Sequence, residues 1–198
     1  MTDTSGQGWT ITYRPAVRED ARRIAQLISI ASDGVSDYIW SQQQLKPGDD
    51  LLDAGQRRYE RRGTTFSFEN CLVAEADGDV VAVLLAYQVP EHNEYVEKDP
   101  VLKPYWLLEE PCSFCIAGIA VDMPWRQRGI ARILMQMAEE RCREKALGKL
   151  SLIVFEANTV AYSFYLRLGY KERMRKTIVP HPMIHYTGDA LLLVKKVL

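Results

Sequence analysis

Apolar residues along this chain recur at two spacings, one typical of strands and one typical of helices. Each change of spacing separates a predicted strand from a predicted helix. Alternating or short continuous apolar runs predict strands at residues 9–13, 71–76, 80–89, 114–121, 150–155, 170–179 and 190–197. Apolar positions at helical spacing predict helices at residues 17–31, 34–62 (one or two helices), 130–143 and 158–169. Helices that intervene between strands indicate an α/β (α+β) fold around one mixed sheet. Since no repeat or low-complexity tract occurs, we predict one domain over residues 1–198.

Residues 122–131, which we name the arginine–glycine turn, join a predicted buried strand to a predicted helix. Backbone N–H groups at a helix N-terminus lack intrahelical acceptors, and the helix dipole adds positive potential there. Gly129 removes a side chain that would block approach to the backbone, and Arg126 and Arg128 add positive charge. This combination favours a phosphate or pyrophosphate. The turn matches neither the Walker loop nor the dinucleotide fingerprint, so it predicts another phosphorylated cofactor.

Two segments resemble the motifs of one known superfamily. Residues 126–131 fit the pattern R/Q-x-x-G-x-G/A, and residues 158–170 fit N-x-x-A-x-x-F-Y-x-x-x-G-F/Y at every specified position. In this order and spacing they resemble the GNAT N-acetyltransferases, and the resemblance covers roughly residues 114–178. It implies a mostly antiparallel sheet of about seven strands, in which strands 4 and 5 splay apart to leave a cleft for a pantetheine arm.

The resemblance also implies that acetyl-CoA is the cofactor. It assigns cofactor contacts to backbone groups near the end of the fourth strand and in the turn, to two arginine side chains, and to two residues of the second motif. These residues are Ile119, Ala120 and Val121; Gln127, Arg128, Gly129, Ile130 and Ala131; Arg126 and Arg132; and Asn158 and Tyr165. Asn158 is also a good helix N-cap, and both roles are compatible.

Acetyl transfer to an amine requires a base for the amine and an acid for the leaving thiolate. Tyr165 resembles the family's general acid, since a phenol has a basicity similar to that of a thiolate, although a packed aromatic is the alternative. The base is less evident, because Cys115 or Ile116 occupies the strand position where many family members carry glutamate. Glu109 is our candidate. The other choices are ordered water and the carboxylates Glu110, Glu75 and Glu69.

Three functions are compatible with these motifs. The leading one is acetyl transfer from acetyl-CoA to a primary amine of a small molecule. The second is a protein or peptide acetyltransferase that acts on N-termini or lysines, and the third is an acyl-CoA-binding domain without turnover, favoured by the missing strand glutamate. We expect the acceptor to bind residues 32–45 and 90–111. The aromatic residues there form either core or pocket wall: Tyr38, Trp40, Tyr95, Tyr105 and Trp106.

Composition excludes several classes of protein. The chain has 198 residues, 47% of them hydrophobic and 26% charged, with a net charge of -1. These values indicate no nucleic-acid partner, and no run is long enough to span a membrane. Without a signal peptide at the start of the sequence we expect a cytoplasmic protein, and a homodimer remains open. The four cysteines are predicted to be small buried residues. Because the three histidines are scattered along the chain, we predict no metal site.

The clustered arginines before the second predicted strand, Arg57, Arg58, Arg61 and Arg62, have two interpretations. One is a solvated helical face, and the other is an anion-binding face.

Overall fold

A computed structural model describes residues 2–5, 9–43, 45–92 and 94–197. The chain packs into two compact units, and we describe each by itself. The first unit is Met1–Ala86 with Gly118–Met137, and the second is Tyr87–Ala117 with Ala138–Leu198. The assignment of residues 1–198 to a single acetyltransferase domain stays a prediction.

The described elements alternate largely as the hydrophobic pattern predicts. The strands are β1 (Thr2–Ser5), β2 (Trp9–Pro15), β3 (Cys71–Ala76), β4 (Asp79–Gln88), β5 (Phe114–Val121), β6 (Lys149–Phe155), β7 (Lys171–Thr177) and β8 (Asp189–Lys196). The helices are α1 (Ala21–Ala31), α2 (Val35–Ser41), α3 (Leu51–Tyr59), α4 (Lys103–Trp106), α5 (Ile130–Glu144) and α6 (Thr159–Arg167). The strand order is β1-β2-β3-β4-β5-β6-β8-β7.

In the first unit, helices cover strands that pair in sequence order. β1 to β4 form antiparallel neighbours, and β3 and β4 meet at a hairpin whose two turn residues, Asp77 and Gly78, both have positive φ. The apolar face of α1 is buried through Ile24, Leu27 and Ile28, because its apolar residues recur at helical spacing. These side chains pack with residues of the other helices and strands, so the hydrophobic core of this unit lies between α1 and its sheet.

The second unit contains the parallel pair of the sheet. β5 pairs with β6 over Phe114–Ile116 and Leu150–Leu152, although β5 continues to Val121 and β6 to Phe155. β6 pairs with β8 along its whole length, and β8 pairs antiparallel with β7. The short parallel register is the expected splay of the fourth and fifth predicted strands, and it leaves Ala117 exposed.

The seven predicted strands are confirmed as β2 to β8 in a mixed sheet, and β1 is an added strand that the sequence did not predict. The predicted helical stretch over residues 34–62 divides into α2 and α3, on either side of Pro47 and Gly48, which disfavour a continuous helix. The segment 90–111 contains the short helix α4. None of the helices described combines the length and apolar character that a membrane span requires.

Candidate active site

Asp122 anchors the arginine–glycine turn at the end of β5. Its backbone N–H donates to the carbonyl of Val81 (2.9 Å), and its carboxylate accepts from the N–H of Met123 (3.0 Å). Its own carbonyl accepts from the N–H of Trp125 (2.9 Å), which closes a short 3-10 helix. Because Asp122 makes all three bonds, the turn leaves the strand in one defined direction.

Two residues of the turn have a left-handed backbone: Gln127 with φ 61° and Gly129 with φ 82°, whereas Arg128 between them does not. Successive N–H groups on a backbone that changes hand converge into a concave anion-binding surface. A Cβ at Gly129 would meet no heavy atom of the chain within 4 Å. Glycine is therefore required for its conformation as well as for an open approach to the backbone.

The arginines of the turn are exposed and lie at the positive end of the α5 dipole. Arg126 donates through Nε to the carbonyl of Val121 (2.9 Å), and Arg128 stacks over the ring of Trp125 (5.1 Å from guanidinium carbon to centroid). Within the described ranges, no carboxylate forms an ion pair with Arg126, Arg128 or Arg132. Cations that oppose a helix dipole without a protein counter-charge favour an anionic ligand.

The other predicted cofactor residues of this unit surround the turn. Ile119 and Val121 are half-buried and Ala120 is buried near the end of β5. Ile130 begins α5 as a buried anchor, 1% exposed, and Ala131 is half-buried beside it. The structure thus places all the predicted contacts from 119 to 132 on one strand end, one turn and one helix start.

Asn158 and Tyr165 lie at the two ends of α6 in the second unit. The Asn158 side chain accepts from the N–H of Ala161 (3.2 Å), so the predicted N-cap is confirmed. At the other end, the N–H of Gly169 donates to the carbonyl of Leu166 (3.0 Å), the N–H of Tyr170 donates to the carbonyl of Tyr165 (3.1 Å), and Gly169 has φ 89°. This is a Schellman pattern with Gly169 as the C′ residue, and it fixes Tyr170 beside Tyr165.

Tyr165 is buried, 8% exposed, and its ring contacts the rings of Phe164 (5.4 Å between centroids) and Tyr170 (5.9 Å). Tyr170 is more deeply buried, and its hydroxyl has no hydrogen-bond partner among the described residues. Burial raises the pKa of Tyr170, and the neighbouring Tyr165 and Cys115 raise it further. The phenol of Tyr165 and the thiol of Cys115 therefore belong to one buried neighbourhood.

The carboxylates considered as bases differ in their partners. Glu110 is buried and forms ion pairs with Lys149 (2.5 Å) and Arg173 (3.1 Å). Glu75 bonds to an arginine of β2 (2.8 Å), and Glu69 accepts from a backbone N–H (2.8 Å). Glu109 is half-buried, and its charge acts on Cys115. Glu109 thus lies near the strand position where glutamate is missing.

Cys115 itself is a poor base. Burial raises the pKa of Cys115 to about 12, the charge of Glu109 also raises it, and hydrogen bonds with Ser151 and Tyr87 lower it. Its thiol keeps the proton at neutral pH. Ser151 also bonds to Ser113 (2.7 Å), so a chain of buried polar groups runs from β5 to β6.

The predicted acceptor aromatics separate into two groups. Trp40 is a core residue, 1% exposed and packed edge-on against Tyr59, and Tyr38 is buried as well. Tyr95 is 58% exposed, whereas Tyr105 is half-buried against Phe155. The interpretation as pocket wall is therefore wrong for Trp40.

The four cysteines differ in their exposure. Cys71, Cys115 and Cys142 are buried as expected, but Cys112 is exposed, and all four are free thiols. No group of His, Cys, Asp and Glu residues within the described part of the chain is arranged to hold a metal ion.

The four clustered arginines are engaged with the protein. Arg57 pairs with Asp49 (2.7 Å), Arg58 stacks over Phe66, Arg62 lies near Glu69 (3.6 Å), and Arg61 donates to a backbone carbonyl. These contacts favour a solvated helical face over an anion-binding face.

Sequence reasoning missed Arg23 and Asp122. The Arg23 guanidinium in α1 bonds to Asp122 (2.5 Å), at the start of the arginine–glycine turn. In the sequence, Arg22 and Arg23 are equivalent polar positions of one amphipathic helix. The sequence indicated only that Asp122 can cap the turn that follows it, and it did not indicate the pairing with Arg23.

Comparison with known proteins supports the same family for much of the chain. The family model described as acetyltransferase (GNAT) family matches residues 35–170. The uncharacterized protein YxbD of Bacillus subtilis (strain 168) is 33% identical over 67 residues, which are 34% of this chain and 40% of that protein. The aligned part thus spans less than half of the curated relative.

Solved structures resemble most of the chain in fold. The Drosophila melanogaster polyamine N-acetyltransferase, which forms N-acetylagmatine, has a TM-score of 0.68 at 15% identity, covering 94% of this chain and 99% of its own. The NatC complex bound to Gag peptide and CoA gives a TM-score of 0.60 at 16% identity, covering 95% and 99%. At these identities the likeness concerns the fold alone.

Proposed function

The chain belongs to the acetyltransferase (GNAT) family, and from this premise we propose that it transfers the acetyl group of acetyl-CoA to a primary amine of a small molecule. The amine nitrogen attacks the thioester carbonyl carbon directly in a ternary complex, the carbon–sulfur bond breaks, and the thiol leaves. The observation that carries the proposal is the arginine–glycine turn. Its left-handed Gln127 and Gly129 fit a diphosphate, as do its arginines, which pair with no carboxylate in the described part of the chain.

The chain's own groups would hold the donor in three ways. Backbone N–H groups of residues 127–131 would bind the diphosphate, and the side chains of Arg126 and Arg132 would add charge-assisted contacts. Backbone groups of Ile119, Ala120 and Val121 would pair with the amides of the pantetheine arm. Held by these contacts, the donor keeps a fixed position, and positioning alone can supply much of the acceleration.

Proton transfer would be shared by two residues of the second unit. Glu109 would accept the proton of the attacking amine, since its charge acts on Cys115, near the strand position where glutamate is missing. Tyr165 would donate its phenolic proton to the leaving sulfur. Asn158 caps the opposite, N-terminal end of α6 and would thereby stabilise the helix that carries this tyrosine.

The segment 91–99 favours a small cationic acceptor. It contains four carboxylates and a single lysine. One of these carboxylates, Glu97, accepts from the hydroxyl of Tyr95 (3.0 Å) and from the N–H of Asp99 (2.9 Å). A segment with excess negative charge attracts ammonium groups. The Drosophila melanogaster enzyme of similar fold acts on polyamines, which agrees with a negatively charged acceptor segment.

Two alternatives remain distinct from this proposal. A peptide or protein acceptor is favoured by the fold neighbour that binds Gag peptide. A binding domain without turnover is favoured by Cys115, whose raised pKa prevents it from replacing a glutamate base. The presence of Tyr165 at a motif position and the intact turn argue against the binding domain.

Release of free thiol from acetyl-CoA tests all three functions. We expect thiol release with small primary amines such as agmatine and polyamines, and little with peptides of matched length and charge. The peptide arm uses free N-termini and, separately, lysines with blocked N-termini. Turnover with peptides alone would transfer the proposal to the second function. Tight binding of acetyl-CoA with no thiol release from any acceptor would support the third.

Glu109→Gln should lower the rate constant for transfer by about 100-fold, the lower range for loss of a general base. The substitution keeps the shape of the side chain, so the free energy of unfolding should change by less than about 0.5 kcal/mol. The measurement is kcat at saturating acetyl-CoA and saturating acceptor, compared with wild type at one fixed pH.

Glu110→Gln is the matched control. It leaves Lys149 and Arg173 without a charged acceptor, so it should cost about 1 kcal/mol of stability and leave the rate within about twofold. A Glu109→Gln variant with the wild-type rate would exclude Glu109 and assign proton removal to water.

A further inference from the structure

Arg23 connects three parts of the first unit through one guanidinium. Its Nε donates to the carbonyl of Val80 (2.8 Å), at the start of β4, and its Nη2 donates to the carboxylate of Asp122 (2.5 Å). The remaining nitrogen donates to Gln26 (3.2 Å) of the same helix. The side chains of Arg23 and Asp122 are 34% and 33% exposed, so both are partly withdrawn from water.

Asp122 transmits this contact to the arginine–glycine turn. One carboxylate oxygen accepts from Arg23, and the other accepts from the N–H of Met123 (3.0 Å). The Asp122 backbone bonds to Val81 on one side and to Trp125 on the other. Asp122 therefore joins Arg23 to the segment through which the turn leaves β5.

We propose that the Arg23–Asp122 ion pair is a positioning device for the donor-binding turn. Arg23 does not contact the donor; it holds Asp122 so that the N–H groups of the turn already converge before the diphosphate arrives. Backbone N–H groups that are already oriented can bind an anion without a free-energy cost for reorganising the turn. This inference rests on the proposed function, in which the turn binds the diphosphate of acetyl-CoA.

The geometry requires arginine at this position. A lysine ammonium is a single point charge, whereas the guanidinium fork serves Val80 and Asp122 at once. Ion pairs exposed to this extent contribute little to global stability. Loss of the pair should therefore weaken donor binding more than it weakens the fold.

The neighbouring Arg22 offers a matched control. It lies in the same helix and forms an ion pair of similar length with Asp53 (2.6 Å), with side chains 45% and 31% exposed. That pair joins α1 to α3 and makes no contact with Asp122. Arg22→Gln removes an equivalent charge and contact without touching the support of the turn.

The test is calorimetric titration of the full chain and its variants with CoA. Arg23→Gln should raise the dissociation constant about tenfold, Arg23→Lys by an intermediate factor, and Arg22→Gln by less than twofold. The double variant Arg23→Gln with Asp122→Asn should bind no more weakly than the weaker single variant, because both remove one shared contact. With a turnover substrate, KM for acetyl-CoA should rise while kcat stays within twofold.

The titration results distinguish failure of the positioning role from failure of the proposed function. Binding of CoA by Arg23→Gln within twofold of wild type, or equal weakening by Arg22→Gln, overturns the positioning role alone. Absence of CoA binding by the wild-type chain rejects the proposed function and the inference with it. If Arg23→Gln unfolds below the titration temperature, Asp122→Asn makes the same comparison, because it keeps an oxygen for the N–H of Met123.

Discussion

We expect Gly129→Glu to abolish the stabilisation of the fold by acetyl-CoA. In the wild-type chain, donor at a hundred times its dissociation constant should add about 2.7 kcal/mol to the free energy of unfolding. For a chain of this size, that corresponds to a rise of about 5 to 10 °C in the thermal midpoint. The glutamate side chain would enter the space where the backbone of the turn is open, and its charge would repel the diphosphate.

The substitution also has a cost without ligand, because Gly129 has φ 82°. A side chain in the left-handed region costs about 1 to 2 kcal/mol, so the midpoint of the free variant should fall as well. Gly48→Glu separates the two effects. Gly48 has φ 89° and equally open surroundings, but it lies between α2 and α3, away from the turn in sequence.

Thermal unfolding of the three proteins with and without millimolar acetyl-CoA provides the measurement. Both variants should unfold at lower temperature than wild type, and only Gly129→Glu should lose the shift on adding ligand. If wild type shows no shift, or Gly129→Glu retains it in full, the turn is not the diphosphate site.

Tyr165→Phe is expected to lower the rate constant for transfer by about ten- to a thousand-fold. The substitution keeps the ring against Phe164 and Tyr170 and removes only the hydroxyl. Loss of one acid catalyst has an effect of this order. The affinity for acetyl-CoA and the thermal midpoint should change little, since the packing of the ring is preserved.

Tyr170→Phe is the control on the same helix end. Its hydroxyl is buried and has no hydrogen-bond partner in the described part of the chain, so its removal should maintain or raise stability. The rate should stay within about twofold. Rates for all three proteins are compared at saturating acetyl-CoA and saturating acceptor. A near wild-type rate for Tyr165→Phe would assign Tyr165 to packing and leave positioning as the main source of catalysis.

Much of the fold follows from local pattern, since strand and helix periods and capping residues act over short distances. Asn158 and Gly169 mark both ends of α6 because a cap needs only neighbouring backbone groups. Trp40 could not be assigned in this way. The sequence around an aromatic residue in a short helix is the same whether the ring lines a pocket or packs in a core. Only the packing of Trp40 against Tyr59 identified it as a core residue.

The sequence by itself determined the turn, its glycine and its arginines, because strand, turn and helix start are contiguous and their backbone conformations are local. Only the tertiary structure decided which polar groups support that turn and which cations pair with Glu110. Arg23 and Asp122 are 99 positions apart, and Glu110 and Arg173 are 63 positions apart. Helical periodicity places a residue on the polar face of its helix, but the identity of its partner depends on how distant segments pack, which no local pattern contains.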